Sequence, residues 1–357
     1  MEKTSLYNVH LSQGARMVII VDFLVPAWYS SVLNEYNHCK NNVFISDTGN
    51  TEEILITGED RDRLLNQLLT VDVAEVEVNE LLWGFICDEK GRIMENVSLS
   101  RLGDAFLLSV PGHRGSHLTD YMKNKFPDYS FQLENISYRT GRIALQGEGS
   151  FHIIEKVFAE DLSQSEDYQI VSAPFEGNEV LLYKISSFGI AGIELFFIND
   201  IGSHLWDKIM EAGVDYNIKP VGMMAKDILR LESGQLSFSK EMRGHVASEL
   251  GLNAYINFSK ENFVGKDALK KANDLKNGYQ LSSIVMEKTM VPKTGAKVYD
   301  LYSNEIGFIS SSGYSPSLGN AIGLAFVNVG FKDETNSVLV EYDKQYIYAQ
   351  LANPPLT

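Results

Sequence analysis

Between Leu81 and Pro111 the chain reads LLWGFICDEKGRIMENVSLSRLGDAFLLSVP, with apolar runs broken by Asp88-Glu89-Lys90-Gly91. A turn signal between apolar runs marks a hairpin. Ala105 to Val110 adds another buried strand, closed by Pro111-Gly112. A hairpin this apolar needs a core on one face, so it has to cross the middle of a larger domain. Any polar group it points inward must find a partner. Period-2 alternation sets Glu95 on one face of the return strand and Asn96 on the other. Those two side chains are the first candidates for meeting a ligand.

The flanking chain mixes helices with hairpins. Ser30 to Cys39, Glu59 to Leu69, Ser116 to Phe126, Ser150 to Phe158 and Val221 to Glu232 read as helices. So does Ser203 to Ala212, with Ser203 as N-cap and Gly213 just past its end. Val18 to Val25 reads as one apolar strand closed by Pro26. Asn41 to Thr57 reads as two strands around a loop, and Gly141 to Gly147, Val180 to Ile185 and Gly192 to Ile198 as further strands. This mixture predicts an α+β arrangement. After about residue 275 closely spaced strands dominate, from Leu281 to Leu351, which predicts a small all-β barrel or sandwich. The boundary falls near Asn273 to Gly278 and divides 1–275 from 276–357.

Composition narrows the chemistry. With 31 Lys plus Arg against 47 Asp plus Glu, the formal charge is −16, which argues against a nucleic-acid footprint but allows a small anion in a local pocket. Two cysteines, Cys39 and Cys87, read as reduced cytosolic thiols. No apolar run is long enough to span a bilayer, and Met17 to Val21 is too short for a signal-peptide core, so a cytoplasmic protein away from membranes is expected. His113 and His117 have metal-ligand spacing on a predicted helix, but no third ligand lies near, and no metal is expected. A G-x-S-x-G elbow is missing, and the stretches GEGS and GIAG match neither a P-loop nor a dinucleotide fingerprint. Glu194 stands out in GIELFF. Buried there, a carboxylate needs a cation, for which Arg230 is a candidate, or a donor-rich ligand; otherwise it faces outward.

Taken in order, SLYNVHLSQGARMV, ITGEDRDRLLNQLLTVDV, CDEKGRIMENVSLSRL, ALQGEGS, GIAGIEL, KPVGMMAKDILRLESG, NFVGKDALKKA and EIGFISSSGYSPSLGNAIGLAFVNV resemble the aminomethyltransferase (T-protein) of the glycine cleavage system and its folate-dependent relatives. The resemblance implies a three-subdomain cloverleaf around a central folate channel. Two intertwined α+β subdomains would occupy 1–275, and a C-terminal β-barrel domain 276–357. It implies tetrahydrofolate as cofactor.

Matched residue by residue, the family's G-x-I-x-D-D-L falls on Gly91 to Val97, so its catalytic Asp is Asn96 here. An Asn hydrogen-bonds but cannot manage a proton. The family's Y-T-G-E-D-G-F-E-L falls on Ser187 to Leu195. Its last Glu, which pairs with the pterin edge, is kept as Glu194, while its first becomes Ile190. Of F-D-V-S-H-M, Asp47 survives and the His is lost. Trp83 stands for a channel Tyr, Ser100 for a Tyr after the hairpin, and Tyr255 for a Trp, while Arg230 and the aromatic Phe238 are kept in kind. The resemblance thus sets Asn96, Asp47 and Glu95 at the reacting atom, and Glu194, Trp83, Arg230, Tyr255 and Phe238 around the folate.

A kept scaffold with an altered centre reads as a tetrahydrofolate-dependent one-carbon transferase of demethylase type, acting on a small methyl or aminomethyl donor. The alternatives are a folate-binding or regulatory protein without turnover, and a glycine-cleavage aminomethyltransferase that needs a lipoyl carrier protein.

Overall fold

The computed structural model describes residues 2–274, 278–331 and 336–356. The chain forms two compact units, each built from separated stretches. Met1–Asn66, Asp72–Gly84 and Val97–Lys226 make the first; Gln67–Val71, Phe85–Asn96 and Asp227–Thr357 make the second. The boundary expected near Asn273 to Gly278 falls where residues 275–277 lie outside the described residues.

The first unit holds a six-stranded sheet in the order Ile170–Phe175, Asn178–Lys184, Gly192–Ile198, Thr140–Gln146, Phe44–Asp47, Lys219–Pro220. Strand alternation decides what each face does. Ile193, Leu195 and Phe197 enter one core with Ile143, Leu145 and Ile45. Helices Ser150–Phe158 and Asn199–Ala212 cover that face and add Ile153, Ile154, Leu205 and Trp206 to the same core. Glu194 and Phe196, Arg142 and Ala144, and Ser46 take the opposite face.

Opposite that face lies part of a five-stranded sheet, in the order Leu81–Cys87, Ile93–Leu102, Ala105–Pro111, Thr51–Thr57, Gln132–Asn135. Within the first unit its Leu55, Leu81, Trp83 and Leu107 pack with Leu181, Tyr183 and Phe196 of the six-stranded sheet. The unit is therefore a sheet-on-sheet sandwich on this side, with an apolar seam between the layers.

The DEKG turn closes as read. Gly91 has φ 74, donates to the Asp88 carbonyl at 2.9 Å, and Asp88 accepts the amides of Lys90 and Arg92 on its side chain. The single strand expected over Val18 to Val25 is instead a hairpin, Arg16–Ile20 paired with Phe23–Trp28. Its two-residue turn puts Val21 at φ 44 and Asp22 at φ 70, the left-handed conformations of the primed hairpin turn. Pro26 lies inside the second strand, across from Met17 where the register shifts. Ser203 does not cap its helix, which begins a turn earlier at Asn199. His113 precedes helix Gly115–Lys125 rather than sharing it with His117, and its Nδ1 sits 3.2 Å from Glu52 Oε1.

In the second unit six strands close a barrel in the order Tyr279–Met286, Asn320–Asn328, Glu305–Ser315, Lys297–Tyr299, Ser337–Tyr342, Gln345–Ala352. Val298, Val338, Val340, Ile347 and Ala349 alternate into its core. The segment SPSLG is a turn in which Ser315 Oγ accepts the Leu318 amide and donates to Glu232 Oε1 at 2.5 Å. Two stretches that carried the resemblance, RLES and SPSLG, are thus one hydrogen-bonded unit.

Candidate functional site

Glu194 stands opposite Ala144 in the antiparallel pairing of their strands, so Arg142, two residues away, shares its face. Arg142 Nη1 donates to Glu194 Oε2 at 3.2 Å. Its Nε donates to Glu53 Oε1 at 2.7 Å, and its Nη2 to Glu53 Oε2 at 3.3 Å and Ser109 Oγ at 2.6 Å. Glu53 and Ser109 are direct cross-strand partners on the facing sheet, and Ser109 Oγ donates to Glu53 Oε2 at 2.6 Å. The guanidinium carbon lies 5.5 Å from the Tyr183 ring and 5.3 Å from the Phe196 ring. Burial works against its charge, but Glu53 and Glu194 outweigh it and hold the guanidinium above its ordinary range. Burial likewise pushes the Tyr183 hydroxyl up to about 12.

On the other side Thr48 Oγ1 donates to Glu194 Oε1 at 2.6 Å. Each Glu194 oxygen therefore takes one donor from the protein and keeps a second lone pair. The Glu194 side chain is 19% exposed, while Arg142 and Glu53 are 4% and 3% exposed. Of these three charged groups, only Glu194 opens outward. It can accept two parallel N–H bonds from a ligand edge.

Lys226 belongs to the same face. Its Nζ donates to Ser46 Oγ at 3.0 Å, and Ser46 pairs with Ala144. Burial lowers the Lys226 ammonium, against the opposing pull of Glu194, Asp47 and Cys39. Trp83 is half-buried in the apolar seam beside Tyr183 and Phe196, the rings that flank Arg142.

Asp47 takes the other face of the sheet, since it pairs with Ile143 of the helix-covered core. Its carboxylate accepts from His10 Nε2 at 2.7 Å and from the Gly49 amide at 2.7 Å. Tyr29 OH, 2.8 Å from His10 Nδ1, completes the chain. Burial, then Asp47 and Glu35, keep that hydroxyl protonated.

The remaining expected residues belong to the second unit. Glu95 is buried and Asn96 half-buried on Ile93–Leu102, as alternation requires. Phe238 packs in a cluster with Phe85, Ile93 and Phe326. Tyr255 is exposed, sets its ring 5.8 Å from Phe85 edge-on, and accepts Thr70 Oγ1 on its carbonyl. Arg230 does not pair with Glu194. It sits on helix Met223–Ser233 and pairs with Asp227 one turn back at 2.5 Å and with Glu241 at 3.4 Å.

Sequence reading missed Arg142, Glu53, His10 and Lys226. The signals were a lone arginine in the strand GRIALQ and paired glutamates opening TEEILIT. Neither names a partner until the strand pairing is known. Cys39 and Cys87 are buried thiols, each pushed up to about 12 by burial and so not nucleophilic at neutral pH. Among the described residues no group of three or more His, Cys, Asp or Glu could hold a metal ion, and no helix is long and apolar enough to cross a membrane.

Comparison with known proteins decides the family. Residues 6–260 match the GCVT N-terminal domain and residues 280–357 the glycine cleavage T-protein C-terminal barrel domain. The chain belongs to the glycine cleavage T-protein family. This is a family of folate-dependent transferase enzymes. An aminomethyltransferase of Caldanaerobacter subterraneus is 29% identical over 344 residues, covering 95% of this chain and 91% of its own. One from Desulforamulus reducens is 26% identical over 356 residues, covering 99% and 98%. The crystal structure of glycine cleavage system aminomethyltransferase T from Bartonella henselae superposes with TM-score 0.91 at 19% identity, over 100% of this chain and 98% of that one. At that identity the T-protein likeness speaks for the fold, α+β with a C-terminal barrel.

Proposed function

We propose that this T-protein family member is a tetrahydrofolate-dependent one-carbon transferase of demethylase type, taking a methyl or aminomethyl group from a small donor. The observation that supports it is Glu194: a carboxylate fixed by one donor on each oxygen, Thr48 and Arg142, on a side chain that stays partly exposed. The 2-amino-pyrimidinone edge of a pterin offers two parallel N–H donors and fits that acceptor. When bound, tetrahydrofolate supplies the nitrogen that accepts the one-carbon unit, and the chain's own residues bind and orient it.

Asn96 shapes the choice of donor. A carboxamide can hydrogen-bond a substrate but cannot take up its proton. Transfer of a methyl group from an activated donor depends on positioning more than on a base at the folate. Asn96 is therefore compatible with methyl donors, and an aminomethyl group on a lipoyl carrier protein is the alternative cargo.

Calorimetry with tetrahydrofolate on wild type and Glu194→Ala tests the anchor. Binding lost in the variant supports it, and a screen of methylated compounds for 5-methyl-tetrahydrofolate then identifies the donor. Turnover only with a lipoylated carrier would point to glycine cleavage. Binding without turnover on any donor would leave a folate-binding protein.

A further inference from the structure

The barrel of the second unit changes character along its interior. Strand alternation sends every second side chain inward. On Tyr279–Met286 the inward positions are Met286 and Ile284, both in the barrel core, then Ser282 and Gln280. On Gln345–Ala352 they are Ile347, Ala349 and Leu351, and the same parity continues to Asn353. On Ser337–Tyr342 they are Val340 and Val338, and the next position on that parity is Asn336. At one end of the barrel the inward stripe thus turns from aliphatic to uncharged polar on three strands at once. Gln280, Ser282, Asn336 and Asn353 meet there around a cavity of about 340 Å³, floored by Val327 and Leu351. The ladder between Tyr279–Met286 and Gln345–Ala352 stops at Ser283 and Ala352, so these two strands part where the cavity opens. Among the described residues the four polar side chains have no hydrogen-bond partner, and no residue lining the cavity is charged. Inward carboxamides that bond nothing in the chain contribute nothing to closing a barrel, but each offers one acceptor and two donors to whatever enters.

We propose that this barrel mouth is a binding site for a small uncharged ligand that carries an amide on an apolar body. Size, lining and charge each point there. Ligand cavities run from roughly 300 to 1,000 Å³ and occur in the mouths of β-barrels, so this one takes a small molecule. Val327 and Leu351 bury its apolar body. Three carboxamides and a hydroxyl at the rim match an amide, which makes two parallel bonds with a carboxamide where an alcohol makes one. An anion or a cation gives up its water here and meets no counter-charge. The site lies within the second unit and depends on neither Glu194 nor the folate reading.

Saturation-transfer NMR on the full chain at neutral pH, titrated with benzamide, benzoate and benzylammonium, tests it with three probes of similar size and different charge. Wild type should bind benzamide about tenfold or more tightly than either ion. Gln280→Leu fills the mouth from an exposed position and should weaken benzamide by about tenfold, the size of one lost hydrogen bond. Asn353→Asp, also at an exposed position, installs a charge and should move the preference to benzylammonium. Circular dichroism verifies the fold of both variants. Three results overturn the proposal: a wild type that binds no benzamide at millimolar concentration, benzoate bound as well as benzamide, or affinities unchanged in both folded variants. Tetrahydrofolate affinity should be the same in wild type and Gln280→Leu, and a parallel loss would merge the mouth with the folate site and overturn a separate one. A chain that binds benzamide in this pattern but no tetrahydrofolate loses the folate reading and keeps this one.

Discussion

Two buried arginines in this molecule solve the same problem differently. Arg142 lies on a strand, and its partners Glu53 and Glu194 come from strands 89 and 52 residues away in sequence. Arg230 lies on a helix, and its partners Asp227 and Glu241 are 3 and 11 residues away. Arg142 uses Nε and both Nη atoms on acceptors. Arg230 Nη2 and Glu241 Oε1 are buried without a hydrogen-bond partner among the described residues. Its shortest contact, to Asp227, reaches a side chain that is 36% exposed. Backbone pairing fixes the partners of Arg142 before any side chain is placed. Those of Arg230 are a helical neighbour and a short turn, which leave more slack. Buried charge is tolerated where the fold has already arranged the acceptors.

The largest expected effect follows from removing the better-fixed cation alone. Arg142→Met strands Glu53 inside the sandwich, and breaking a buried pair in this way costs about 3–5 kcal/mol. Urea unfolding of the variant should show it. A loss below about 1 kcal/mol would mean that the ion pair is replaceable by apolar packing and that its geometry matters little for stability.

Glu194→Ala separates function from frame. Arg142 keeps Glu53 and Ser109, so stability should change by about 1 kcal/mol or less. Folate affinity should fall by roughly a hundredfold, since two hydrogen bonds to a charged group are lost. Equal loss of stability and affinity would make Glu194 part of the scaffold.

Arg230→Met sharpens the contrast between the two arginines. Glu241 stays buried but retains the Ser237 amide at 2.8 Å, and its contact with Arg230 is long at 3.4 Å. The expected cost is about 1–2 kcal/mol, below that of Arg142→Met. A cost equal to or above the Arg142 value would show that partner distance along the chain has no bearing on how much a buried arginine contributes.

The same contrast explains what could be read from sequence. Local features were legible. The DEKG turn has a glycine at the position that needs positive φ, and the barrel strands alternate. The hairpin at Val21-Asp22 was not legible, because a valine occupies a left-handed position that sequence reading reserves for Gly or Asn. Glu194 stood out as an acid among aromatics, yet its partner was sought in Arg230, an arginine in a helix motif, rather than in Arg142. Only the register that sets Glu194 against Ala144 puts Arg142 on its face. Asp47 and Glu194 were grouped by motif, and strand alternation sends them to opposite faces of one sheet. Non-local pairing is the information that sequence patterns do not carry.

A third buried cation extends the comparison, with the smallest effect. Arg142 stays charged throughout the accessible pH range, but Lys226 titrates within it. Its ammonium is lowered from the ordinary 10.5, first by burial, with Glu194, Asp47 and Cys39 opposing. Between that lowered value and 10.5 the unfolded chain holds a proton on Lys226 that the folded chain has released. The unfolded state then binds more protons, so stability rises with pH across that window. Above 10.5 the penalty for burying the ammonium is gone, and below the lowered value it is fully in force. Unfolding free energies of wild type and Lys226→Met, followed upward toward pH 10.5, should therefore diverge once the pH passes that lowered value, wild type gaining on the variant as pH rises. Parallel profiles would mean that Glu194 and Asp47 compensate the buried ammonium fully, and Lys226 would then join Arg142 as a permanently charged member of the face.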